Sequence, residues 1–397
     1  MLEPTIDPAA LEIWADYLID HSVGGVGPGD VVMIKGERIC WPLMAILERK
    51  VIEKGGTPDV YMVPPNNERG RVWSADMART GTPDQIGNTP AWNKDRYEVM
   101  NKYIEVLGAE DPTLYAGLNP EQAGLLAKAD RPFSTLRLAR TWVITLYPTP
   151  GMAKAEGMEL DEYVDFIVRA STQDPQPLKE AEEALEPLFN QAKKATIITQ
   201  HPHDGRELTL TMDLSKSQGV LCYGLRNFPD GEIFTSPDAN SVQGQIFVDL
   251  PVSYGGVDMM GIYLEFEAGR IVKYDADQGR GQLEAIIETD EGSHRLGEFA
   301  LGMNPGLEKV LKHPLFVEKV GGTLHIAIGM SYEDCYVDDP STDEGKARLQ
   351  ALVEQGVCNQ SAQHVDIVTD FRPGGCGRRV LLDDVEVVVK DGLWVVK

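Results

Sequence analysis

Residues 30–63, DVVMIKGERICWPLMAILERKVIEKGGTPDVYMV, predict a strand, a helix and a second strand. An apolar run ends at Gly36, and apolar residues then recur at helical spacing between Trp41 and Lys54. After two glycines that stop the helix, the run Asp59–Val63 has the composition of another strand. A helix that connects two strands in this way makes them parallel neighbours. The stretch therefore predicts an α/β fold, a parallel sheet with helices on its faces, for the N-terminal part of the chain.

The alternation of strands and helices continues beyond this unit. The patterns predict a helix over 97–107, a strand over 140–147, helices over 159–170 and 178–192, and a strand over 195–200. The loop after the first strand, Lys35-Gly-Glu-Arg, lacks the second glycine and the Lys-Ser/Thr pair of a phosphate-binding loop. The sequence therefore gives no support to nucleotide binding.

Beyond about residue 205 the pattern changes to hairpins. Two pairs of apolar runs flank turn signals at Ala268–Gly269 and Asp391–Gly392. One helix, from Leu283 to about Leu301, interrupts these strands. We therefore predict an α/β domain over 1–205 and an α+β, antiparallel-rich domain over 206–397.

The composition narrows the class of protein. The 397 residues include 62 acidic and 37 basic side chains, a net charge of -25, which argues against nucleic acid or an anionic membrane as partner. Five cysteines are scattered without a Cys-x-x-Cys pair, so neither a zinc ribbon nor a dithiol motif is present. The N-terminal residues resemble no signal peptide, and no apolar run is long enough to span a membrane. We expect a cytoplasmic protein with reduced thiols.

Two predicted strands carry histidines on their polar faces. In residues 321–329, GGTLHIAIG, strict alternation puts the apolar residues on one face and His325 on the other. In residues 363–368, QHVDIV, His364 and Asp366 share the face opposite the apolar residues. Side chains two apart on a strand project in parallel, about 6.5 to 7 Å apart at the backbone, and can converge on one or two cations. A buried histidine that only hydrogen-bonds its aspartate neighbour is the alternative.

Two carboxylates complete the candidate site. Glu232 follows a Pro-Asp-Gly turn and precedes a short strand, and Glu298 lies inside the apolar segment that we predict to be a helix. A buried carboxylate needs a partner, for which a metal ion is the strongest choice and Arg295 or a surface salt bridge the alternative. Carboxylates and imidazoles without thiolates bind zinc, cobalt, manganese or iron. Two histidines with three acids suit a hydrolase site that holds two metal ions.

From Leu221 to the C-terminus the sequence resembles the thermophilic-type metallo-aminopeptidases, the family of aminopeptidase T and aminopeptidase S. The blocks that carry the resemblance occur in the family's order, and each is centred on a ligand-type residue. They are FPDGEIFTSP around Glu232, RLGEFALG around Glu298, GGTLHIAIGMSY around His325 and NQSAQHVD around His364.

The resemblance implies an exopeptidase that prefers apolar N-terminal residues of its peptide substrate, binds two divalent metal ions and forms a homodimer. It implies that the metals are held by Glu232, Glu298, His325, His364 and Asp366. It also implies that Tyr332 acts at the site, as a ligand or as a donor to the transition state, and that Glu318 supplies a further acid. On this view Glu298, Tyr332 and Glu318 are the catalytic residues.

Several alternatives stay open. His201 and His203 could bind metal, although a solvated loop is the simpler interpretation. Residues 335–356 predict an acidic turn and a helix inserted between the two histidine strands, either as a surface elaboration or as a lid or dimer contact. The same fold could support a mononuclear iron dioxygenase of a dihydroxypyridine, or a binding protein with an idle site.

Overall fold

The computed structural model describes residues 4–63, 72–115, 118–254, 257–372 and 377–397. The chain forms two compact units. Unit 1 comprises Met1–Gln173 and Gly224–Pro229, and unit 2 comprises Asp174–Tyr223 and Asp230–Lys397.

The helices and strands alternate in the first half of the chain, whereas strands dominate the second half. The helices are α1 (Pro8–Asp16), α2 (Trp41–Glu53), α3 (Ala75–Thr80), α4 (Pro83–Gly87), α5 (Ala91–Val99), α6 (Pro120–Leu138), α7 (Pro150–Glu156), α8 (Leu160–Ser171), α9 (Gln176–Gln191), α10 (Arg280–Ile287), α11 (Pro314–Val317) and α12 (Asp343–Glu354). The strands are β1 (Val31–Gly36), β2 (Thr57–Met62), β3 (Lys102–Leu107), β4 (Thr141–Leu146), β5 (Lys194–Gln200), β6 (Glu207–Asp213), β7 (Val220–Cys222), β8 (Asn227–Phe228), β9 (Glu232–Thr235), β10 (Gln243–Val248), β11 (Val252–Tyr254), β12 (Val257–Glu267), β13 (Arg270–Gln278), β14 (Leu296–Gly302), β15 (Thr323–Gly329), β16 (His364–Asp370), β17 (Arg379–Leu382), β18 (Val385–Lys390) and β19 (Leu393–Val396).

Unit 1 contains the predicted parallel sheet, with strand order β2-β1-β3-β4-β8. The β1–α2–β2 unit confirms the interpretation of residues 30–63. The helix predicted over 97–107 is wrong, because α5 ends at Val99 and β3 begins at Lys102. Since β3 lies between β1 and β4 and is buried along most of its length, its apolar residues do not alternate regularly with polar ones. Such a strand cannot be distinguished from a buried helix by its periodicity.

Unit 2 is the predicted α+β, antiparallel-rich part. One sheet has the order β11-β12-β10-β6-β5-β17-β18-β19, with β13 also paired to β12, and a second sheet has the order β16-β15-β14-β9-β7. The turns at Ala268–Gly269 and Asp391–Gly392 form the predicted hairpins, each with positive φ at both turn residues. Apolar side chains from both sheets and from α9 and α10 share one buried core.

The division between the units differs from the one predicted at residue 205. That position lies in the turn between β5 and β6, which pair along their whole length and therefore belong together in unit 2. Residues 224–229 return to unit 1, where β8 pairs with β4. The two histidine-bearing strands lie in unit 2, as predicted.

The helix predicted from Leu283 to Leu301 is also wrong in its second half. α10 ends at Ile287, and Leu296–Gly302 form the strand β14. Leu296 pairs with Ile328 and Glu298 with Ala327 of β15, so Gly297 is an extra residue, a β-bulge. The bulge turns Leu296 into the core and Glu298 to the opposite face. Leu296 and Phe299, which both lie in the core, are therefore three residues apart, as on one face of a helix.

None of the helices within the described ranges is long and apolar enough to cross a membrane. Cys40, Cys222, Cys335 and Cys358 are free thiols in the part of the chain that the structure describes. The fifth cysteine, Cys376, lies outside that part.

Candidate metal centre

The second sheet of unit 2 has five strands, and four neighbouring strands of this sheet bring the predicted ligands together on one face. We call these five residues the ligand cluster: Glu232 of β9, Glu298 of β14, His325 of β15, and His364 and Asp366 of β16. The apolar residues that alternate with them on these strands lie in the core on the other face. The faces predicted for His325, His364 and Asp366 are therefore confirmed.

Glu298 lies at the middle of the ligand cluster. Its Oε1 is 3.0 Å from His325 Nε2 and its Oε2 is 3.3 Å from His364 Nε2. Glu232 Oε2 is 3.4 Å from His325 Nε2, and Asp366 Oδ1 is 3.5 Å from His364 Nε2. Glu298 is thus shared by two groups of potential ligand atoms, one with Glu232 and His325 and the other with His364 and Asp366. Arg295, the alternative partner of Glu298, instead donates to Asn240 at 3.0 Å.

The atoms of the ligand cluster are suited to divalent cations. Glu298 is 3% exposed and His325 1% exposed, so an ionised carboxylate here needs a strong partner. Glu232 Oε2 and Asp366 Oδ1 are buried and have no hydrogen-bond partner among the described residues, although both face imidazole nitrogens. Oxygen and nitrogen atoms that converge without satisfying one another are the donor set that zinc, cobalt or manganese binds.

His364 is oriented for ligation by its other ring nitrogen. His364 Nδ1 lies 2.7 Å from the carbonyl oxygen of Met330 and donates its proton there. When the ring is neutral, this hydrogen bond leaves the lone pair on Nε2, the usual arrangement of a metal-binding histidine. Nε2 in turn faces Glu298 and Asp366.

The carboxylates and imidazoles shift one another's pKa values in the metal-free protein. Burial acts to lower the pKa of His325, but its hydrogen bond to Glu298 and the charge of Glu232 outweigh burial and raise the pKa to about 9. The pKa of His364 is also raised well above its ordinary value, because the charge of Asp366 outweighs the effect of burial. Burial acts to raise the pKa values of Glu298 and Asp366, but the two histidines hold both below their ordinary range. Both imidazoles are therefore protonated near neutral pH until a metal ion replaces the proton.

We expect metal binding at about pH 7.5 to release about two protons, one from His325 and one from His364, because only neutral imidazole is a ligand. Calorimetric titration in buffers of different ionisation enthalpy measures this number. The release should decline as the pH rises through about 9, the pKa of His325. Because this pKa is raised on folding, the charged imidazole stabilises the metal-free fold fully below about pH 6.5, and this contribution is lost as the pH rises through about 9. A binding enthalpy that does not depend on the buffer would contradict the expectation.

Glu318 and Tyr332 lie beside the ligand cluster. Burial and then the charge of Asp366 raise the pKa of Glu318 well above its ordinary value. The Tyr332 ring lies 4.5 Å from the His364 ring, centroid to centroid. Burial and the Glu298 and Asp366 carboxylates raise the pKa of Tyr332. We attribute this shift mainly to the carboxylates, because Tyr332 is 41% exposed. Its hydroxyl keeps its proton and can donate a hydrogen bond.

Sequence reasoning missed Lys319. This lysine is buried, and its Nζ forms an ion pair with Glu232 Oε1 and lies 3.5 Å from Glu318 Oε2. Glu232 acts to raise its pKa, against burial, so Lys319 is a fixed positive charge. In Val317-Glu-Lys-Val320 it has the appearance of an ordinary surface lysine, and the sequence contains no signal for its burial.

Glu182 of α9 was also missed. Both of its carboxylate oxygens are buried without a hydrogen-bond partner of normal geometry among the residues described. Burial, then Asp230 and Glu232, raise the pKa of Glu182 well above its usual value, which favours the neutral form of this carboxyl group. A signal was present, because Glu182 stands on the apolar stripe of α9 with Leu178, Leu185 and Phe189.

The local backbone explains why Glu232 follows a Pro-Asp-Gly turn. Gly231 has a φ of 144°, and a Cβ there would lie 2.6 Å from the Cβ of Asn304. Only glycine fits this close approach. Asn304 Nδ2 donates to the carbonyl oxygen of Asp230 at 2.6 Å and holds the turn in place.

The other sequence candidates lie elsewhere. His201 and His203 lie in the turn after β5, where His201 Nδ1 is 3.2 Å from Asp204, and they do not belong to the ligand cluster. Residues 335–356 contain the predicted helix as α12. Its Leu349 and Leu352 share a hydrophobic cluster with Phe234 and Ala300, which lie on the same sheet face as the ligand cluster.

A family model described as thermophilic metalloprotease (M29) matches residues 8–373. The chain belongs to this family. Aminopeptidase T of Thermus aquaticus is 29% identical over 321 residues, which cover 71% of this chain and 74% of that protein. Aminopeptidase PepS of Streptococcus thermophilus is 26% identical over 393 residues, which cover 90% of this chain and 91% of that protein. The solved structure of wild-type AmpT from Thermus thermophilus shares the fold, with a TM-score of 0.74, 21% identity, and coverage of 98% of this chain and 97% of that one. The resemblance stated from the sequence is confirmed, and family membership implies divalent metal ions.

Proposed function

We propose that this metallo-aminopeptidase holds two divalent metal ions in the ligand cluster and uses them to release N-terminal amino acids from peptides. The shared position of Glu298 carries the proposal. Its two oxygens face different histidines, so Glu298 would help to hold both ions. Glu232 and His325 would complete one metal position, and His364 and Asp366 the other.

When bound, two such ions lower the pKa of a water molecule and polarise the scissile carbonyl group. The protein residues supply the remaining tasks. Glu318, with its raised pKa, is suited to accept the proton of the attacking water and to return it to the leaving amine. Tyr332, still protonated, can donate a hydrogen bond to the oxyanion that forms on the substrate.

The excess of carboxylates explains why the free amino end of a peptide is selected. Asp230, Glu232, Glu298, Glu318 and Asp366 lie in or beside the cluster, so the local potential attracts an ammonium group. We also propose, from the family resemblance, a preference for apolar N-terminal residues and a homodimeric assembly.

Neither the family match nor the relatives support the alternative of a dihydroxypyridine dioxygenase. That enzyme needs one iron held by two histidines and one carboxylate. The ligand cluster here contains three carboxylates, all within reach of the two histidines.

We expect two metal ions per chain when the metal-stripped protein is equilibrated with zinc, cobalt or manganese and counted by elemental analysis. The loaded protein should release leucine from leucyl-p-nitroanilide. One iron per chain, with oxygen consumption in the presence of a dihydroxypyridine, would replace this proposal by the oxygenase. Two ions per chain without turnover of any di- or tripeptide would indicate an idle site.

A further inference from the structure

Lys319 is a buried cation that lies within the same group of carboxylates as the proposed metal ions. Only 3% of its side chain is exposed. Its Nζ contacts Glu232 Oε1, lies 3.5 Å from Glu318 Oε2 and lies 3.9 Å from Asp230 Oδ1. A buried lysine stays charged only when such partners surround it.

The two carboxylate oxygens of Glu232 have different partners. Oε1 is held by the ammonium group, whereas Oε2 faces His325 Nε2 at 3.4 Å. Within the described ranges, Oε2 has no hydrogen-bond partner. Lys319 therefore determines which oxygen of Glu232 is available to a metal ion.

Lys319 also lies against a third group of potential ligands. Atoms of Cys222, Asp230 and Glu232 lie within 4.8 Å of one another, close enough to hold an additional ion. Cys222 of β7 pairs directly with Glu232 of β9, and its thiol is free. Two of the three residues are already ion-paired with Lys319, so the ammonium group neutralises charge that a third metal ion would otherwise neutralise.

We propose that Lys319 is a positioning residue that acts as a permanent third cation. It holds Glu232 with Oε2 directed to the metal ions, and it prevents the Cys222–Asp230–Glu232 group from binding a metal of its own. The inference rests on the proposed function for the two ions that the ligand cluster binds.

The test uses cobalt, because a cobalt–thiolate bond produces a charge-transfer absorption band that reports directly on Cys222. Four proteins are equilibrated with cobalt, and the bound metal is counted. They are wild type, Lys319→Met, Lys319→Arg and the double variant Lys319→Met/Cys222→Ser. We expect two ions and no thiolate band for wild type and for Lys319→Arg. Lys319→Met should bind three ions and show the band, and the double variant should lose both the third ion and the band.

Lys35→Met is the matched control, because Lys35 is also buried and pairs with a carboxylate, Glu105 at 3.4 Å. It should bind the same number of ions as wild type. The inference is overturned if Lys319→Met binds the same number of ions as wild type, or if wild type itself shows the thiolate band. If Lys319→Met does not fold, the wild-type spectrum in excess cobalt decides alone. The absolute count in wild type tests the proposed function, whereas the difference between variant and wild type tests the role of Lys319.

Discussion

Glu298→Gln is expected to lose both metal ions and to reduce kcat/KM for leucyl-p-nitroanilide by at least about 10³-fold. Glutamine keeps the size of the side chain but removes the charge and replaces one oxygen by an N–H donor, which cannot bind a metal ion. Because the two oxygens of Glu298 face different histidines, a single change affects both metal positions. Metal ions contribute several kcal/mol to such a transition state, and each 1.36 kcal/mol is a factor of about ten in rate.

Glu182→Gln is the matched control for this experiment. Glu182 is also a buried carboxyl group of unit 2, but its raised pKa favours the neutral form, which glutamine imitates. The control should bind the same number of ions as wild type and keep its activity. If Glu298→Gln retained two ions and more than about a tenth of the activity, Glu298 would not be a shared ligand.

Gly297→Ala is expected to lower the free energy of unfolding by about 3 kcal/mol or more, and to weaken metal binding as well. A Cβ at Gly297 would lie 2.1 Å from the carbonyl oxygen of Met330 and 2.4 Å from its carbonyl carbon. Backbone atoms cannot rotate away as a side chain can, so the β-bulge itself must shift, and overpacking of this kind commonly costs about 1 to 3 kcal/mol or more. The shift would move Glu298 and also the Met330 carbonyl that orients His364.

Urea unfolding in the presence of a chelator measures the fold alone, and titration with cobalt measures the metal site. Gly281→Ala is the control, because a Cβ at this position in α10 meets no described atom within 4 Å. An alanine there should be neutral or stabilise the helix by up to about 1 kcal/mol. Wild-type stability and wild-type metal affinity in Gly297→Ala would show that the bulge does not position the site.

The sequence predicted those parts of the site that depend on local periodicity. His325, His364 and Asp366 alternate strictly with core residues, so their shared face follows from the pattern of each strand. Glu298 was a candidate because a carboxylate in an apolar segment needs a partner, but its position on a strand was not predicted, because the bulge at Gly297 makes that strand imitate a helix. Glu232 depended almost wholly on the family resemblance. Lys319 was not predictable, since its burial depends on contacts with Glu232, which is far away in the sequence.

The fold was predictable to a similar extent. The βαβ unit of residues 30–63 and the two glycine hairpins carry their own local signals. The strand β3 and the division between the units have no such local signal, because both depend on which strands become neighbours. Only pairing in space shows that β5 belongs with β6, and that β8 belongs with β4.

The return of residues 224–229 to unit 1 affects how the chain can fold. The parallel sheet is complete only when β8 joins β4, and β8 follows α9, β5, β6 and β7 in the sequence. During synthesis, some fifty further residues of unit 2 must therefore be made before the sheet of unit 1 can be completed. Until then β4 is an exposed edge, which is a template for pairing with other chains. A fragment that ends at Gln173 would keep this open edge, and we expect it to aggregate rather than to fold as an independent domain.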